Sequence, residues 1–131
     1  MAQNITKGVK ALLEEANSVV ETMSIDDAKR LHTDDDTVFV DLRDFRELKR
    51  EGKIPGAFSC PRGMLEFWID PESPYHKDVF NQDKTYVFYC ASAWRSALSA
   101  KVAMEMGLKP VMHVEGGFTA WKKADAPIEE V

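Results

Sequence analysis

Short runs rich in β-branched and aromatic residues alternate with stretches of helical periodicity along nearly the whole chain, and this alternation constrains the fold more than any other feature. Thr37-Val38-Phe39-Val40-Asp41-Leu42 and Thr85-Tyr86-Val87-Phe88-Tyr89 are too short for three helical turns and read as buried strands. Ala57 to Cys60 and Val111 to Val114 read as shorter extended pieces. Between them lie helix signals. Ser24, with Asp27 three residues on, starts a short helix through Leu31, and Asp44 with Glu47 starts a second that Gly52 can end in a left-handed conformation. Pro61 opens a third, through Met64, Leu65 and Trp68, which Pro71 and Pro74 stop. Ser96 to Met106 is a largely apolar helix closed by Gly107, and Phe118 to Lys123 supplies a last helical turn or two. Parallel neighbours need crossovers, so the pattern argues for a mainly parallel sheet with helices on both faces.

Ahead of this lies a stretch of different character. Residues 5–22 place Ile5, Val9, Leu12, Leu13, Ala16 and Val19 at helical spacing. The chain therefore divides into an amino-terminal helical extension, 1–23, and an α/β domain, 24–131. The extension either covers one face of the sheet or presents an apolar stripe for self-association; no oligomeric state follows from it. At 131 residues one core suffices. The formal net charge of −5 provides no basic field for a phosphate backbone, which argues against a nucleic-acid partner. The first ten residues lack the apolar stretch of a secretory signal, and no run approaches the roughly 18 apolar residues of a spanning helix. The expectation is a cytoplasmic protein with no membrane partner.

Two cysteines, Cys60 and Cys90, are too few for a disulfide framework or a four-ligand zinc site, so neither a metal nor a cofactor is called for. Cys90 stands apart by its position. The run Tyr89-Cys90-Ala91-Ser92-Ala93-Trp94-Arg95-Ser96 joins the clearest strand to the clearest helix, which puts the sulfur at the carboxyl end of a strand and just before a helix amino terminus. Unpaired amides, the positive helix end and Arg95 all favour an anionic sulfur there. Such a thiolate can attack an outer sulfur and hold it as Cys-S-S⁻, the same donors stabilising the terminal charge. No histidine lies in the loop to act as a base, and a thiolate needs none.

The chain resembles the rhodanese domain over roughly residues 24–127. The resemblance rests on Val40-Asp41-Leu42-Arg43-Asp44, Gly52-Lys53-Ile54-Pro55-Gly56-Ala57, Cys90 to Ser96, Glu115-Gly116-Gly117 and Trp121, in family order. It implies an α/β fold around a central five-stranded sheet, a catalytic cysteine at Cys90, and anion binding by the backbone amides of Ala91, Ser92, Ala93, Trp94 and Arg95. The implied activity is transfer of a sulfane sulfur, from a small anionic donor such as thiosulfate or from a persulfide-bearing protein, to a thiophilic acceptor. Two positions depart from the family: Lys53 replaces its usual His, in a turn read as structural, and Ala93 replaces its usual Gly. If the latter position demands a positive φ, the alanine Cβ costs about 1 kcal/mol.

Other side chains carry alternatives. Arg95 either binds the donor's anionic end or pairs with an acid such as Asp41 or Glu115 to brace the loop. Asp41 and Arg43 read as a structural ion pair. Phe67, Trp68 and Trp94 read either as core or as an apolar wall around a persulfide. Cys60 either resolves the persulfide as a disulfide or is an inert buried thiol. Two rival functions stand beside sulfur transfer. One is a non-catalytic binding or regulatory module of the same fold. The other is a phosphatase or arsenate reductase of the kind with five residues between Cys and Arg, which fits poorly because four residues separate Cys90 from Arg95.

Overall fold

A computed structural model describes residues 2–131. Five strands form one sheet, β1 (Glu21–Met23), β2 (Thr37–Asp41), β3 (Phe58–Ser59), β4 (Thr85–Tyr89) and β5 (Val111–Val114), in the order β1-β5-β4-β2-β3 with every pairing parallel. Among the described residues six α-helices accompany it: α1 (Val9–Val19), α2 (Ile25–Leu31), α3 (Phe45–Glu51), α4 (Leu65–Ile69), α5 (Trp94–Met106) and α6 (Gly117–Lys123). The α/β architecture is thus the one expected, with the sheet parallel throughout. No helix among the described residues is long and apolar enough to cross a membrane.

The period of two along each strand sorts side chains onto the two faces. Val40, Tyr86, Phe88 and Val111 pack on one side with Ala100 and Ala103 of α5 and Leu65 and Ile69 of α4. Phe39, Val87, Tyr89 and Val114 pack on the other with Ala28 of α2 and Phe118 and Trp121 of α6. The buried face of α5 is made of small residues, Ser96, Ala97, Ser99, Ala100 and Ala103, which lets this helix approach the sheet closely.

The amino-terminal stretch departs from its expected form. Its helix is shorter than expected and lies on α5 as an outer layer, leaving Val9, Leu12 and Val19 exposed. Residues 21–23, expected to belong to the helical extension, form the edge strand β1 and pair with Met112, His113 and Val114. Met1 lies outside the described residues. An edge strand with a single buried residue, Met23, carries no apolar run for a sequence reading to detect.

Topology fixes where a site can form. From β2 the chain moves to β3 on one side of the sheet, and from β4 it moves to β5 on the other, so the direction reverses between β2 and β4. Their carboxyl ends carry Asp41 and Cys90, the crevice where open α/β sheets bind ligands.

Candidate active site

Cys90 leaves the end of β4 with its side chain turned inward, 1 % exposed. Its Sγ accepts a hydrogen bond from the Ser96 N–H at 3.3 Å and lies 3.6 Å from Ser96 Oγ. The sulfur therefore sits against polar groups in the first turn of α5. The amide on it belongs to Ser96, one residue past the set expected from the sequence. Among the described residues no protein acceptor meets the amides of Ala91, Ser92, Ala93, Trp94 or Arg95. These are the orphan donors of a helix start and the turn before it.

The loop is held in this form from below. The amides of Phe118 and Thr119, at the start of α6, donate to the carbonyls of Cys90 at 2.8 Å and Ala91 at 3.0 Å. Since a trans peptide points its C=O and N–H oppositely, the amides of Ala91 and Ser92 are turned away from α6. This close approach requires glycine: Gly117 has φ of 63°, and a Cβ there would lie 2.6 Å from the Cys90 carbonyl oxygen.

Ala93 occupies a left-handed conformation, φ 73° and ψ 4°, as the residue before α5. The position demands what glycine supplies most readily, and the alanine methyl carries the strain that a positive φ imposes. The other departure, Lys53, is structural: its Nζ donates to the Ala57 carbonyl at 2.8 Å and lies 3.6 Å from Glu129 Oε2, tying the carboxyl-terminal segment to the turn.

Arg95 pairs with neither Asp41 nor Glu115. Its two terminal nitrogens grip both oxygens of Glu47 on α3, at 2.8 and 2.9 Å. The Arg95 hydrogen bonds are the main reason the Glu47 carboxyl is lowered to about 2. Asp41 is unavailable to Arg95 because Arg43 has claimed it: Nε and Nη2 of Arg43 donate to its two oxygens at 3.0 and 2.8 Å, and Nη2 also donates to the Gly52 carbonyl at 2.8 Å. Both partners are buried, and the guanidinium lies 4.2 Å from the Phe118 ring centroid. Asp41 and Arg43 are the structural pair the sequence suggested.

The aromatic wall does not assemble. Trp94 and Phe67 are 59 % and 53 % exposed, and Trp68 packs edge-on against Phe58. Trp94 turns toward α1, where it closes a groove of about 670 Å³ lined by Val9, Lys10, Leu13, Glu14, Asn17 and Ser18.

Cys60 differs from Cys90 in every contact. Burial raises its thiol to about 12, and its Sγ meets only the Pro61 carbonyl, at 3.9 Å. Ser59 and Tyr89 flank Asp41 from opposite sides, so Cys60 and Cys90 stand roughly two strand spacings apart, ~10 Å, beyond the ~7 Å that a disulfide spans between Cα atoms. Both thiols are free.

One group near the sulfur escaped the sequence reading. His113 of β5, 3 % exposed, has Nδ1 at 2.9 Å from Ser96 Oγ. It lies far along the chain from Cys90, and only the adjacency of β5 to β4 brings it in.

The class the geometry defines is a parallel α/β domain that holds a buried cysteine between a central strand and a helix amino terminus. Within it this chain belongs to the rhodanese-like family, whose domain description matches residues 24–124. YtwF of Bacillus subtilis, provisionally named a sulfurtransferase, is 32 % identical over 99 residues, spanning 76 % of this chain and 86 % of its own length. The thiosulfate sulfurtransferase GlpE of Glaesserella parasuis is 28 % identical over 97 residues, spanning 72 % of this chain and 80 % of its own. A solved structure from Rhodopseudomonas palustris, described as a protein of unknown function and possible tyrosine phosphatase, superposes with a TM-score of 0.95 at 62 % identity. That match covers 98 % of this chain and 99 % of the other.

Proposed function

We propose that the protein accepts a sulfane sulfur on Cys90 and passes it to a thiophilic acceptor. The Cys90 thiolate attacks the outer sulfur of the donor, the donor's sulfur–sulfur bond breaks, and sulfite or a thiolate leaves. An acceptor nucleophile then attacks the terminal sulfur of Cys90-S-S⁻ and the Cys90 thiolate departs. The observation that carries this reading is the row of amides from Ala91 to Arg95 that meet no protein acceptor among the described residues, beside a sulfur already hydrogen-bonded to Ser96 N–H. Those amides would receive the negative terminal sulfur.

The state of Arg95 bears on the donor. It is the only charged side chain of the loop, and Glu47 occupies both of its terminal nitrogens. Among the described residues the loop therefore offers a dianion such as thiosulfate no unpaired cation, which favours a persulfide, on a protein or a small thiol, as the donor. At 1 % exposure Cys90 has almost no open surface, so the loop rim, where Ser92 and Trp94 are exposed, must yield for the donor to enter.

The phosphatase description of the Rhodopseudomonas protein supplies a second reading. A phosphoryl group needs a free guanidinium fork and a ring wide enough for three oxygens. Four residues between Cys90 and Arg95, with that arginine bound to Glu47, supply neither. Intact mass after incubation with thiosulfate and with a low-molecular-weight persulfide, on wild type and Cys90→Ser, tests the assignment. The expected result is the mass of one added sulfur atom on wild type only. Reduced, folded wild type that takes up none would favour a binding module, and Cys90-dependent hydrolysis of p-nitrophenyl phosphate would replace sulfur transfer with phosphate chemistry.

A further inference from the structure

Cys90 is buried, yet a line of polar groups leads from it to the surface. Ser96 Oγ lies 3.6 Å from Cys90 Sγ, His113 Nδ1 2.9 Å from Ser96 Oγ, and Thr22 Oγ1 3.4 Å from His113 Nε2. Ser96 and His113 are 0 % and 3 % exposed, whereas Thr22, on the edge strand, is exposed. Strand register sets the far half of the line, since His113 is paired with Phe88 of β4 on one side and Thr22 of β1 on the other. The near half comes from α5, whose first turn places Ser96 against the sulfur.

A neutral imidazole donates from one nitrogen and accepts at the other, so the line has two consistent polarities. With the proton on Nε2, His113 donates to Thr22, Ser96 donates to Nδ1, and Ser96 Oγ turns a lone pair toward the sulfur, which suits a thiol. With the proton on Nδ1, His113 donates to Ser96 Oγ, Ser96 O–H donates to Sγ, and Thr22 O–H donates to Nε2. The sulfur then receives two hydrogen bonds from Ser96, which suits a thiolate. Burial lowers the imidazole's proton affinity, which favours the neutral ring, and the side chains within hydrogen-bond distance of it, Ser96 and Thr22, are uncharged. The charged group that acts on the sulfur is Arg95, itself paired with Glu47, while the nearby Asp41 is closed by its own pair with Arg43.

We propose that His113 is a positioning residue for Cys90, acting through Ser96, and that Ser96, His113 and Thr22 form a path by which the buried thiol releases its proton to solvent. The balance is simple. The S–H proton passes to Ser96 Oγ, the Ser96 hydroxyl proton to Nδ1, the Nε2 proton to Thr22 Oγ1, and the Thr22 hydroxyl proton to water. Every group keeps one proton except the sulfur, and the imidazole ends in the tautomer that aims the Ser96 hydroxyl at the new thiolate. This deepens the reading of Cys90 as a working thiolate. Its test uses alkylation instead of sulfur transfer, so the two can fail separately.

The measurement is the pH dependence of Cys90 alkylation by iodoacetamide, followed by peptide mass. The midpoint is read together with the double variant, because a merely loosened loop would also shift it but would not make the effects of His113 and Ser96 non-additive. In His113→Ala and Ser96→Ala the midpoint is expected to rise by about one pH unit, the effect of one hydrogen bond to a charged group. The double variant should shift no further than Ser96→Ala. His113→Asn, which keeps a donor near the place of Nδ1, should restore most of the shift. Should His113→Ala fail to fold, the exposed Thr22→Val decides, with a smaller upward shift expected. Unmoved midpoints in the folded variants, or additive shifts in the double variant, would overturn the proposal.

Discussion

Cys60 and Cys90 are alike in everything that burial measures. Each succeeds a parallel strand, each flanks β2, and they are 0 % and 1 % exposed. Their immediate successors in the chain differ. Cys60 precedes Pro61, which has no N–H, and its sulfur meets a carbonyl, so desolvation outweighs the opposed charges of Arg62 and Glu66 and the thiol is raised to about 12. Cys90 precedes five amides that meet no protein acceptor among the described residues, and the start of a long helix, and its sulfur meets an amide and a hydroxyl. On the proposed function, the backbone that succeeds a buried cysteine decides whether it is inert or useful. Depth in the protein does not distinguish the two.

The Asp41–Arg43 pair closes the end of β2, which both thiols flank, so breaking it should disturb the surroundings of both at once. Arg43→Met leaves a buried carboxylate without its partner and is expected to destabilise the fold by about 3–5 kcal/mol. Denaturant titration should show that loss, and Cys60 should become reactive to a thiol reagent along with Cys90. A loss under about 1 kcal/mol would mean the pair does not brace the fold between the two thiols.

Gly117→Ala acts on one cysteine only. Its Cβ would press on the Cys90 carbonyl oxygen and Ala91, pushing α6 off the loop at a cost of about 1–3 kcal/mol. Cys90 alkylation should change markedly while Cys60 stays protected.

Glu47 ties the loop to α3, and its effect depends on pH. A carboxyl held at about 2 in the folded chain, against 4.5 without its partners, contributes stability that is complete above pH 4.5 and lost as pH falls toward 2. Glu47→Gln should therefore be less stable than wild type at neutral pH, by about 1 kcal/mol for a pair whose arginine is partly exposed, and the gap should close across that acid window. A gap that persists at pH 2 would assign the effect to the helix cap instead, since Glu47 also accepts from the Asp44 N–H.

The smallest effect is expected at Ala93. A left-handed alanine costs about 1–2 kcal/mol, and glycine's greater freedom in the unfolded chain takes back about 0.4–1, so Ala93→Gly should stabilise by roughly 0.5 kcal/mol. Thermal unfolding of the pair checks the sign.

Much of the fold and of the site was legible in the sequence because it is local. The strands β2 and β4, the capping box at Asp44 and Glu47, the left-handed Gly52 and the place of Cys90 between strand and helix each depend on a few neighbouring residues. What escaped depends on contacts between distant segments. Glu47 rather than Asp41 or Glu115 holds Arg95, because Arg43 has already taken Asp41. His113 reaches Ser96 only because β5 lies next to β4, which no spacing in the chain encodes. β1 escaped because two of its three residues face solvent and leave no run to read.

The most direct measurement assigns the added sulfur to a residue. Wild-type protein, incubated with a small persulfide and digested without reductant, should carry sulfur on the Cys90 peptide and none on the Cys60 peptide. Sulfur on Cys60, or on both in equal measure, would contradict the view that the amides after residue 90 make the difference.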